Sequence, residues 1–324
     1  MRKTLDAALL AALVATGAPL AAQAAYPDKP ITVIVGFAPG GPTDALGRVI
    51  FKKVSEELGV SMIIENKPGA GGNIAAQYLA QARPDGYTLM FASAAVAIAP
   101  ALYKREDLNP KRIFSAVGCS SKVPFILLAA KKTPADDAQE LFKQIRQHPG
   151  KYFLGTSGNG TMDQVVAANI ATRLGQEFEQ VPYKGNGPAL TALVAGDTQF
   201  MYSGSFNSAL PYIKDGQIKA LAVTSSERSP ALPDVPALKE AVPGLGNFDA
   251  GTWQAVVAPH GTPADILARV NQALNKALKD PEVMASLRFQ GAEAMDTTPA
   301  QCQDFVASEY DRWSETVQTL GLKE

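Results

Sequence analysis

The sequence predicts an α/β fold in which two lobes, each built on a mostly parallel β-sheet, are separated by a cleft. Short apolar runs rich in β-branched and aromatic residues alternate with helix-like segments, which is the pattern of βαβ units. This pattern runs to about residue 102 and restarts near residue 151, so it predicts two sheets. With 324 residues, 46% of them hydrophobic, the chain can bury a core in each lobe.

The first lobe is predicted from three strand and helix pairs. The runs "ITVIVGF", "SMIIE" and "YTLMFAS" are followed by helical patterns at 43–58, 73–82 and 95–102. The first of these helices should end at Gly59, because glycine is the usual residue just after a helix. Its apolar stripe, which is typical of a helix packed on a sheet, consists of Leu46, Val49, Ile50, Val54 and Leu58.

The second lobe is predicted from the same rhythm. After "FSAVGCSS" and "PFILLAA", the runs "KYFLGTS", "FEQVPYKG", "TQFMYSG" and "IKALAVTS" are separated by helices that include 161–174 and 188–195. The stretch "SERSPALPDVPALKEAVPG" has four prolines and is predicted to be an irregular return path. The boundaries expected are 25–123 and 248–324 for the first lobe and 124–247 for the second.

The C-terminal part of the first lobe is predicted to begin with the strand "TWQAVVAP", which three helices follow. The last helix is long and places apolar and aromatic residues at helical spacing, so we interpret them as core rather than as a cofactor site. These residues are Cys302, Phe305, Val306, Tyr310, Trp313 and Val317.

The first 24 residues have the features of a secretory signal. Arg2 and Lys3 precede an apolar stretch, and Ala22 and Ala24 occupy the positions of an A-x-A cleavage site. The apolar stretch is shorter than the roughly 20 residues that a membrane span needs. We therefore expect a cleaved signal at 1–24, a mature chain that begins near residue 25 or 26, and a soluble protein in the periplasm.

Composition argues against several classes of function. The net charge is -1 and no basic patch is present, so nucleic acid is not an expected partner. The chain has two histidines and two cysteines, far apart in sequence, and neither a metal nor a cofactor is expected. Cys119 and Cys302 either form a disulfide or remain two separate buried thiols, because the sequence does not give their distance.

Four glycine-rich turns are the candidate functional segments. They are "GFAPGGPTDALG", "ENKPGAGGNIAA", "GTSGNGTMDQ" and "YKGNGPALTAL", and each lies between a predicted parallel strand and a helix. At such a turn the first N–H groups of the helix lack partners and attract anions, and glycine lets a ligand approach the backbone. Open α/β sheets bind ligands at this carboxyl edge. We expect bare amides at Gly40 and Gly41, and N-terminal caps from Asp44 and Asn73.

Enzyme motifs fail at these same turns. None contains the lysine that a phosphate-binding loop requires in register, and "GAGGNI" has isoleucine where a dinucleotide site needs a small residue. The segment "GTSGN" lacks the final glycine of a hydrolase nucleophile turn. His148 is predicted to lie at a helix end and His260 in a turn, and neither is near a candidate nucleophile in the sequence. The sequence therefore offers no catalytic base, and a binding protein is favoured over an enzyme.

Five segments in order resemble a known family. "YPDKPITVIVGFAPGGPTD", "ENKPGAGGNIAA", "DGYTLMFAS", "GTSGNGT" and "VPYKGNGPALTALVAGDTQFMYS" are similar to signature segments of the Bug receptors, the TctC-like extracytoplasmic solute-binding proteins of tripartite tricarboxylate transporters. The similarity spans the mature chain. It implies a type II periplasmic-binding-protein fold, a Venus flytrap whose two lobes close about a hinge on a carboxylate held by main-chain amides, hydroxyls and water.

The resemblance also implies where the ligand binds. The turns at 37–44 and 69–72 would belong to one lobe, and those at 156–161 and 183–188 to the other. The ligand-binding positions expected are Phe37, Pro39, Gly40, Gly41, Thr43, Asp44, Gly69, Ala70, Gly71, Ser93, Thr156, Ser157, Gly158, Asn159, Thr161, Tyr183, Asn186, Gly187, Tyr202 and Ser203.

Two segments depart from the usual family pattern. "FASAAVAIAP" leaves Ser93 with apolar neighbours, and "MYSGSFNS" has Tyr202 and Ser203 where apolar residues are common. The expected ligand is therefore a di- or tricarboxylate, or else an aromatic or longer-chain carboxylate. The expected partners are the membrane permease subunits of such a transporter, and the protein is expected to be a monomer. The alternatives are an esterase or transferase on the same fold, and a receptor domain for a sensor protein.

Overall fold

The computed structural model describes residues 26–158, 161–319 and 321. The predicted secretory signal at 1–24 lies outside these residues, and so does Asn159. None of the helices in the described ranges combines the length and the apolar composition that a membrane span requires.

Strands and helices alternate through most of the described chain. The strands are β1 (Ile31–Val35), β2 (Met62–Asn66), β3 (Thr88–Ser93), β4 (Phe114–Pro124), β5 (Ile126–Ala130), β6 (Phe153–Thr156), β7 (Glu179–Pro182), β8 (Phe200–Ser203), β9 (Ile218–Val223), β10 (Gly251–Pro259) and β11 (Glu293–Ala294). The helices are α1 (Pro42–Leu58), α2 (Asn73–Ala80), α3 (Ala95–Leu102), α4 (Pro110–Ile113), α5 (Ala138–Gln147), α6 (Met162–Arg173), α7 (Asn186–Ala195), α8 (Phe206–Lys214), α9 (Leu238–Ala241), α10 (Ala264–Ala277), α11 (Pro281–Phe289) and α12 (Pro299–Thr319).

The first sheet has the strand order β11-β4-β10-β3-β1-β2. β1 pairs in parallel with β2 and β3. β10 is antiparallel to both β3 and β4, and β11 is antiparallel to β4. Because β10 alone separates β3 from β4, strands β1 to β4 all run in one direction.

The second sheet has the order β7-β6-β8-β5-β9. β6 pairs in parallel with β7 and β8, whereas β5 is antiparallel to β8 and β9. Strands β6 to β9 therefore share one direction. The predicted α/β fold with two mostly parallel sheets is confirmed, but the sequence did not predict that β10 and β11 in the first sheet and β5 in the second run opposite to the other strands.

The two sheets are joined at their carboxyl edges. β4 ends beside the carboxyl ends of β1 to β3, and the chain passes through Phe125 into β5, which begins beside the carboxyl end of its antiparallel neighbour β8. The return connection leaves the carboxyl end of β9 and enters β10 beside the carboxyl end of β3. As a result, every glycine-rich turn that follows a parallel strand lies at one of two edges that the connections hold together.

Thr224 ties the two connections to each other. Its N–H donates to the carbonyl oxygen of Phe125 at 2.9 Å, and its Oγ1 accepts the N–H of Phe125 at 2.7 Å. The same Oγ1 lies 2.7 Å from the carbonyl oxygen of Ala250, whose N–H donates back to the carbonyl of Thr224 at 2.9 Å. Thr224 is completely buried. The crossing segments therefore form a compact junction rather than independent linkers.

The predicted helix ends agree closely with the structure. α1 begins at Pro42 and stops at Gly59, whose φ of 73° is the left-handed conformation that glycine adopts most easily. The proline-rich return path contains only the short helix α9. The sequence pattern did not predict α8, which packs on the second sheet.

The C-terminal helix α12 is fastened to the first sheet by covalent and polar contacts. Cys119 in β4 and Cys302 in α12 form a disulfide with their Cα atoms 5.3 Å apart, which decides the alternative that the sequence left open. The indole N–H groups of Trp253 and Trp313 donate to the same carboxylate oxygen of Glu309, at 3.0 and 2.9 Å. Both tryptophans are fully buried, as expected for core residues.

Candidate functional site

The turn between β1 and α1 is closed by the side chain of Asp44. Its Oδ2 accepts the N–H of Gly40 at 2.9 Å and Nε of Arg48 at 2.9 Å. Its Oδ1 accepts Nη2 of Arg48 and Nδ2 of Asn66, each at 2.9 Å. Gly40 has a φ of 80°, so the turn needs glycine at this position. Asp44 does not occupy the cap position of α1, which is Gly41, but it shapes the turn from the first helical turn by accepting the N–H of Gly40.

The charge of Asp44 is already neutralised within the protein. The hydrogen bonds from Arg48, followed by those from Gly40 and Asn66, outweigh the effect of burial and lower the pKa of Asp44 to about 2 from an ordinary value of 3.8. Asp44 is 2% exposed, whereas Arg48 is half exposed. An incoming anion thus meets an ion-paired carboxylate rather than an isolated negative charge.

The expectation that the amides of Gly40 and Gly41 are bare is wrong for this conformation. The N–H of Gly40 is taken by Asp44, and that of Gly41 donates to the carbonyl of Ala38 at 3.3 Å. In the described residues no acceptor takes the N–H of Asp44. An N–H group available to a ligand therefore lies in the first turn of α1. The N–H of Gly40, which precedes the helix, already donates to the Asp44 carboxylate.

The second turn touches the first. An added Cβ on Gly36 would lie 3.2 Å from the Cα of Gly72, so the two backbones approach as closely as glycine allows. Gly69, Ala70 and Gly71 are exposed at the crest of this turn. The structure therefore brings together the predicted turns that follow β1 and β2, with Phe37 half-buried and Pro39 exposed beside them.

Asn73 does not cap α2 as predicted, because Gly72 occupies the cap position and Asn73 is the first helical residue. Its Nδ2 is buried without a partner in the described residues. Ser93, at the end of β3, is also buried, and its Oγ accepts the N–H of Ala95 at 3.3 Å. The neighbouring N–H of Ala94 donates to the carbonyl of Trp253 at 2.9 Å, which links this strand end to β10.

The third turn repeats the design of the first with a different carboxylate. The N–H of Ser157 donates to Oδ2 of Asp163 at 2.7 Å, and Oγ1 of Thr161 donates to the carbonyl of Gly158 at 2.7 Å. Thr156 is buried, whereas Ser157, Gly158 and Thr161 are half-buried. Asn159 lies outside the described residues, so its predicted role stays a prediction.

Asp163 lies in a less favourable environment for an ionised carboxylate than Asp44 does. It is 5% exposed, and within the described part of the chain no lysine or arginine pairs with it. Burial raises its pKa above the ordinary value, although hydrogen bonds from Thr161 and Ser157 oppose this shift. The third turn therefore depends on a buried carboxyl group whose ionised form is destabilised by burial.

The fourth turn packs directly on the third. The N–H of Tyr183 donates to the carbonyl of Thr156, and the N–H of Gly185 donates to the carbonyl of Ser157, both at 2.9 Å. A Cβ on Gly158, whose φ is 133°, would lie 3.1 Å from the carbonyl oxygen of Tyr183. Glycine is thus required where these two turns cross, and the pairing that the sequence predicted is present.

A polar network continues from the fourth turn to the end of β8. Oγ of Ser203 donates to Oδ1 of Asn186 at 2.9 Å and accepts the N–H of Ser205 at 3.3 Å. Gly187 is exposed beside this network. Tyr202 is 1% exposed, its hydroxyl has no partner in the described residues, and burial raises its pKa. In this conformation Tyr202 belongs to the core.

The sequence reading missed several residues that shape these turns. Arg48 is detectable from its spacing of four residues from Asp44, which places both on one helix face. Asn66 and Asp163 act through contacts that no local pattern reveals. Ser205 and Asn207, whose side chains are joined by a hydrogen bond of 2.9 Å, follow a strand end and could have been included on that ground.

The arrangement presents neutral donors rather than a cationic patch. In the described turns, Arg48 pairs with Asp44 and Lys67 with Glu65, while Lys184 is exposed and has no ion-pair partner. Hydroxyl and backbone N–H groups at the carboxyl edges of parallel strands are suited to binding a small anion. The described residues hold no cluster of side chains suited to a metal ion.

Comparison with known proteins supports a receptor function for this geometry. Residues 46–322 match the family model described as the tripartite tricarboxylate transporter family receptor, TctC. The chain is 34% identical to the protein BugT of Bordetella pertussis, with 100% of this chain and 99% of BugT covered.

Two solved structures with bound dicarboxylates are similar in sequence and in fold. MatC from Rhodopseudomonas palustris with bound malate is 34% identical with a TM-score of 0.74, and covers 90% of this chain and 100% of its own. R. palustris Rpa4515 with adipate is 32% identical with a TM-score of 0.76, and covers 92% of this chain and 99% of its own.

Proposed function

Because this chain belongs to the TctC family of tripartite tricarboxylate transporter receptors, we propose that it is a periplasmic receptor that captures a small organic carboxylate between two lobes. One observation carries the proposal: the turns after β1, β2, β6 and β7 lie at two carboxyl edges that the connections through Phe125 and Thr224 hold together. Malate in MatC and adipate in Rpa4515 support a dicarboxylate as the ligand.

The binding residues we assign are those of the four turns. The first lobe would contribute 37–44, 69–71 and Ser93, and the second would contribute 156–161, 183–187 and Ser203. The N–H of Asp44 at the start of α1 and the hydroxyl of Ser157 are donors in this proposal, and the Thr161 hydroxyl would join them only by giving up its hydrogen bond to the carbonyl of Gly158. Each such charge-assisted hydrogen bond contributes about 1.5 to 3 kcal/mol, so four or five approach the roughly 8 kcal/mol of micromolar binding.

The lobes we propose are 25–123 with 248–324, and 124–247. Ligand bound to one lobe would recruit donors from the other and shift the population toward a closed form. Thr224 is the natural pivot, since both connections meet at its backbone and hydroxyl. Closure would remove water from the carboxylate and strengthen each hydrogen bond.

Two features bear on the choice of carboxylate. The α3 segment beside Ser93 is largely apolar and buried, and Tyr202 is enclosed in the second sheet. Both limit the polar contacts available to the distal end of a ligand. A longer-chain or aromatic carboxylate therefore remains a second ligand class in the proposal, beside a di- or tricarboxylate.

Delivery to the permease subunits of a tripartite tricarboxylate transporter completes the proposed role. The segment 1–24 would direct secretion and be removed, and the mature chain would act as a monomer. A signalling role would use the same site with a sensor partner. An enzyme on this fold is not favoured, because the family is one of receptors and the turns lack a catalytic base.

Calorimetry tests the proposal directly. Malate, adipate, citrate and benzoate are titrated into the mature protein, and X-ray scattering is recorded with and without saturating ligand. We expect micromolar binding of at least one carboxylate and a smaller radius of gyration in its presence. The absence of binding across the panel, or binding without compaction, would contradict the receptor mechanism.

The Ser157→Ala variant separates a receptor from an enzyme. A receptor loses affinity by roughly tenfold or more when one charge-assisted donor is removed, and it shows no turnover before or after the change. A measurable ester hydrolysis rate in the unaltered protein that disappears in this variant would favour the enzyme.

A further inference from the structure

A cavity of about 340 Å³ lies outside the four turns, between the proline-rich return path and α11. Its walls come from Ser229 to Ala231 on one side and from α11 and the segment leading into β11 on the other. This volume is at the lower end of the range of about 300 to 1,000 Å³ that is usual for small-molecule sites. None of the residues expected to bind the primary ligand lines it.

The interior of the cavity is mainly apolar. Leu287, Ala292 and Gly291 are buried in its wall, and Ala231 and Met284 contribute partly exposed apolar surface. An added Cβ on Gly291 would overlap the ring of Phe206, so the wall is packed against the start of α8 without intervening space. An occupant therefore has to supply an apolar body of limited size.

Two opposite charges stand at the rim. Arg288 and Glu293 both line the cavity and both are exposed. In the described part of the chain neither side chain forms an ion pair or a hydrogen bond, with each other or with any neighbour. Arg228, in the return path, is instead paired with Glu240. An unpaired guanidinium beside apolar walls is suited to a carboxylate with a hydrophobic tail.

We propose that this cavity is a second ligand site, which binds an apolar monocarboxylate of medium chain length. The carboxylate would contact Arg288 and the tail would fill the space between Ala231 and Leu287. The Glu293 carboxylate disfavours a second negative charge, so the site would discriminate against the dicarboxylates proposed for the cleft. This inference does not depend on the proposed receptor function.

The second-site proposal is tested by measuring the affinity of octanoate for the mature protein with calorimetry. Affinity should rise about threefold to fourfold with each methylene from butanoate to octanoate, as apolar burial requires. Arg288→Gln should weaken octanoate binding about tenfold, and Glu293→Gln should strengthen it slightly because a repulsive charge is removed. Both side chains are exposed, so both variants should fold.

Ser157→Ala is the matched control, because it alters the cleft and leaves the cavity unchanged. It should not affect octanoate binding, and Ala231→Phe, which fills the cavity, should abolish it. The proposal is overturned if octanoate does not bind at millimolar concentration. It is equally overturned if Ser157→Ala weakens octanoate binding while Arg288→Gln does not, since octanoate would then occupy the cleft.

Discussion

In both the first and the third turn a carboxylate accepts one backbone N–H. The surroundings of the two carboxylates, however, shift their pKa values in opposite directions. Asp44 receives the N–H of Gly40 and is neutralised by Arg48, and its pKa falls to about 2. Asp163 receives the N–H of Ser157, has no cation among the described residues, and its pKa rises because it is buried.

We call the turns at 37–44 and 69–71, with the sheet they follow, the first half of the site, and the turns at 156–161 and 183–187, with their sheet, the second half. Because the two carboxylates differ, the stability of the two halves should respond differently to pH and to mutation. The first half is fixed by an ion pair and, further away, by the disulfide between Cys119 and Cys302. In the described residues the second half has neither device around its turns. We expect the first half to be the more rigid partner and the second half to be the one that adjusts to ligand.

The largest expected effect comes from removing the disulfide. The double change Cys119→Ala and Cys302→Ala should lower the free energy of unfolding by about 3 to 5 kcal/mol, because the cross-link closes a loop of 183 residues. Trp253 and Trp313 both lie in the first half, so denaturant unfolding followed by tryptophan fluorescence reports on it. An unchanged midpoint would show that this half does not depend on the cross-link.

Asp44→Asn should lower the stability at pH 7 by about 2 kcal/mol, since the lowered pKa measures the ionised form's advantage in the folded state. In the unaltered protein this contribution is complete above about pH 4 and is lost as the pH falls from about 4 to 2. Thermal melts across this range check it. Asp107→Asn is the control, because Asp107 pairs with Arg105 at an exposed position and should contribute little.

Alanine substitutions at Gly41 and Gly187 test whether the ligand contacts both halves of the site. Gly41 has a φ of -71° and its Cβ position is 3.4 Å from the nearest oxygen, while Gly187 has open space around it. Alanine at either position should leave the fold intact yet reduce carboxylate affinity about tenfold by obstructing the helix N-terminus, measured by calorimetry.

Gly246→Ala is the matched control for these variants, because Gly246 also has open space and lies outside the turns. It should change neither the affinity nor the melting temperature. If one of the two turn variants binds normally while the other is impaired, the ligand contacts only one half and the proposed closure is wrong.

The smallest expected effect is that of Asp163→Asn, within about 1 kcal/mol at pH 7, because the amide oxygen can still accept the N–H of Ser157. The pH dependence should have the opposite sign to that of Asp44. A raised pKa in the folded state means that stability is greatest below the ordinary value of 3.8 and is lost as the pH rises through the folded value.

The unaltered protein should therefore gain stability relative to Asp163→Asn on acidification. Paired thermal melts of the two proteins from pH 7 to pH 4 measure this. A relative loss of stability over that range would mean that Asp163 is stabilised as an anion, and the contrast with Asp44 would disappear.

Sequence patterns by themselves determined most strands, most helices and the four turns of this protein. The period of apolar residues placed α1 to within one residue, and glycine after a parallel strand marked each turn, because both signals are local consequences of backbone geometry. The turns at Gly69 and Gly158 were predicted on that basis and lie where expected.

Only the tertiary structure decided which donors are free and which charges are paired. The amide of Gly40 is occupied by Asp44, and Asn66 reaches the same carboxylate from another strand. The disulfide and the junction at Thr224 join segments more than 90 residues apart. Such contacts depend on distances set by the packing of whole sheets, and no local pattern in the sequence encodes those distances.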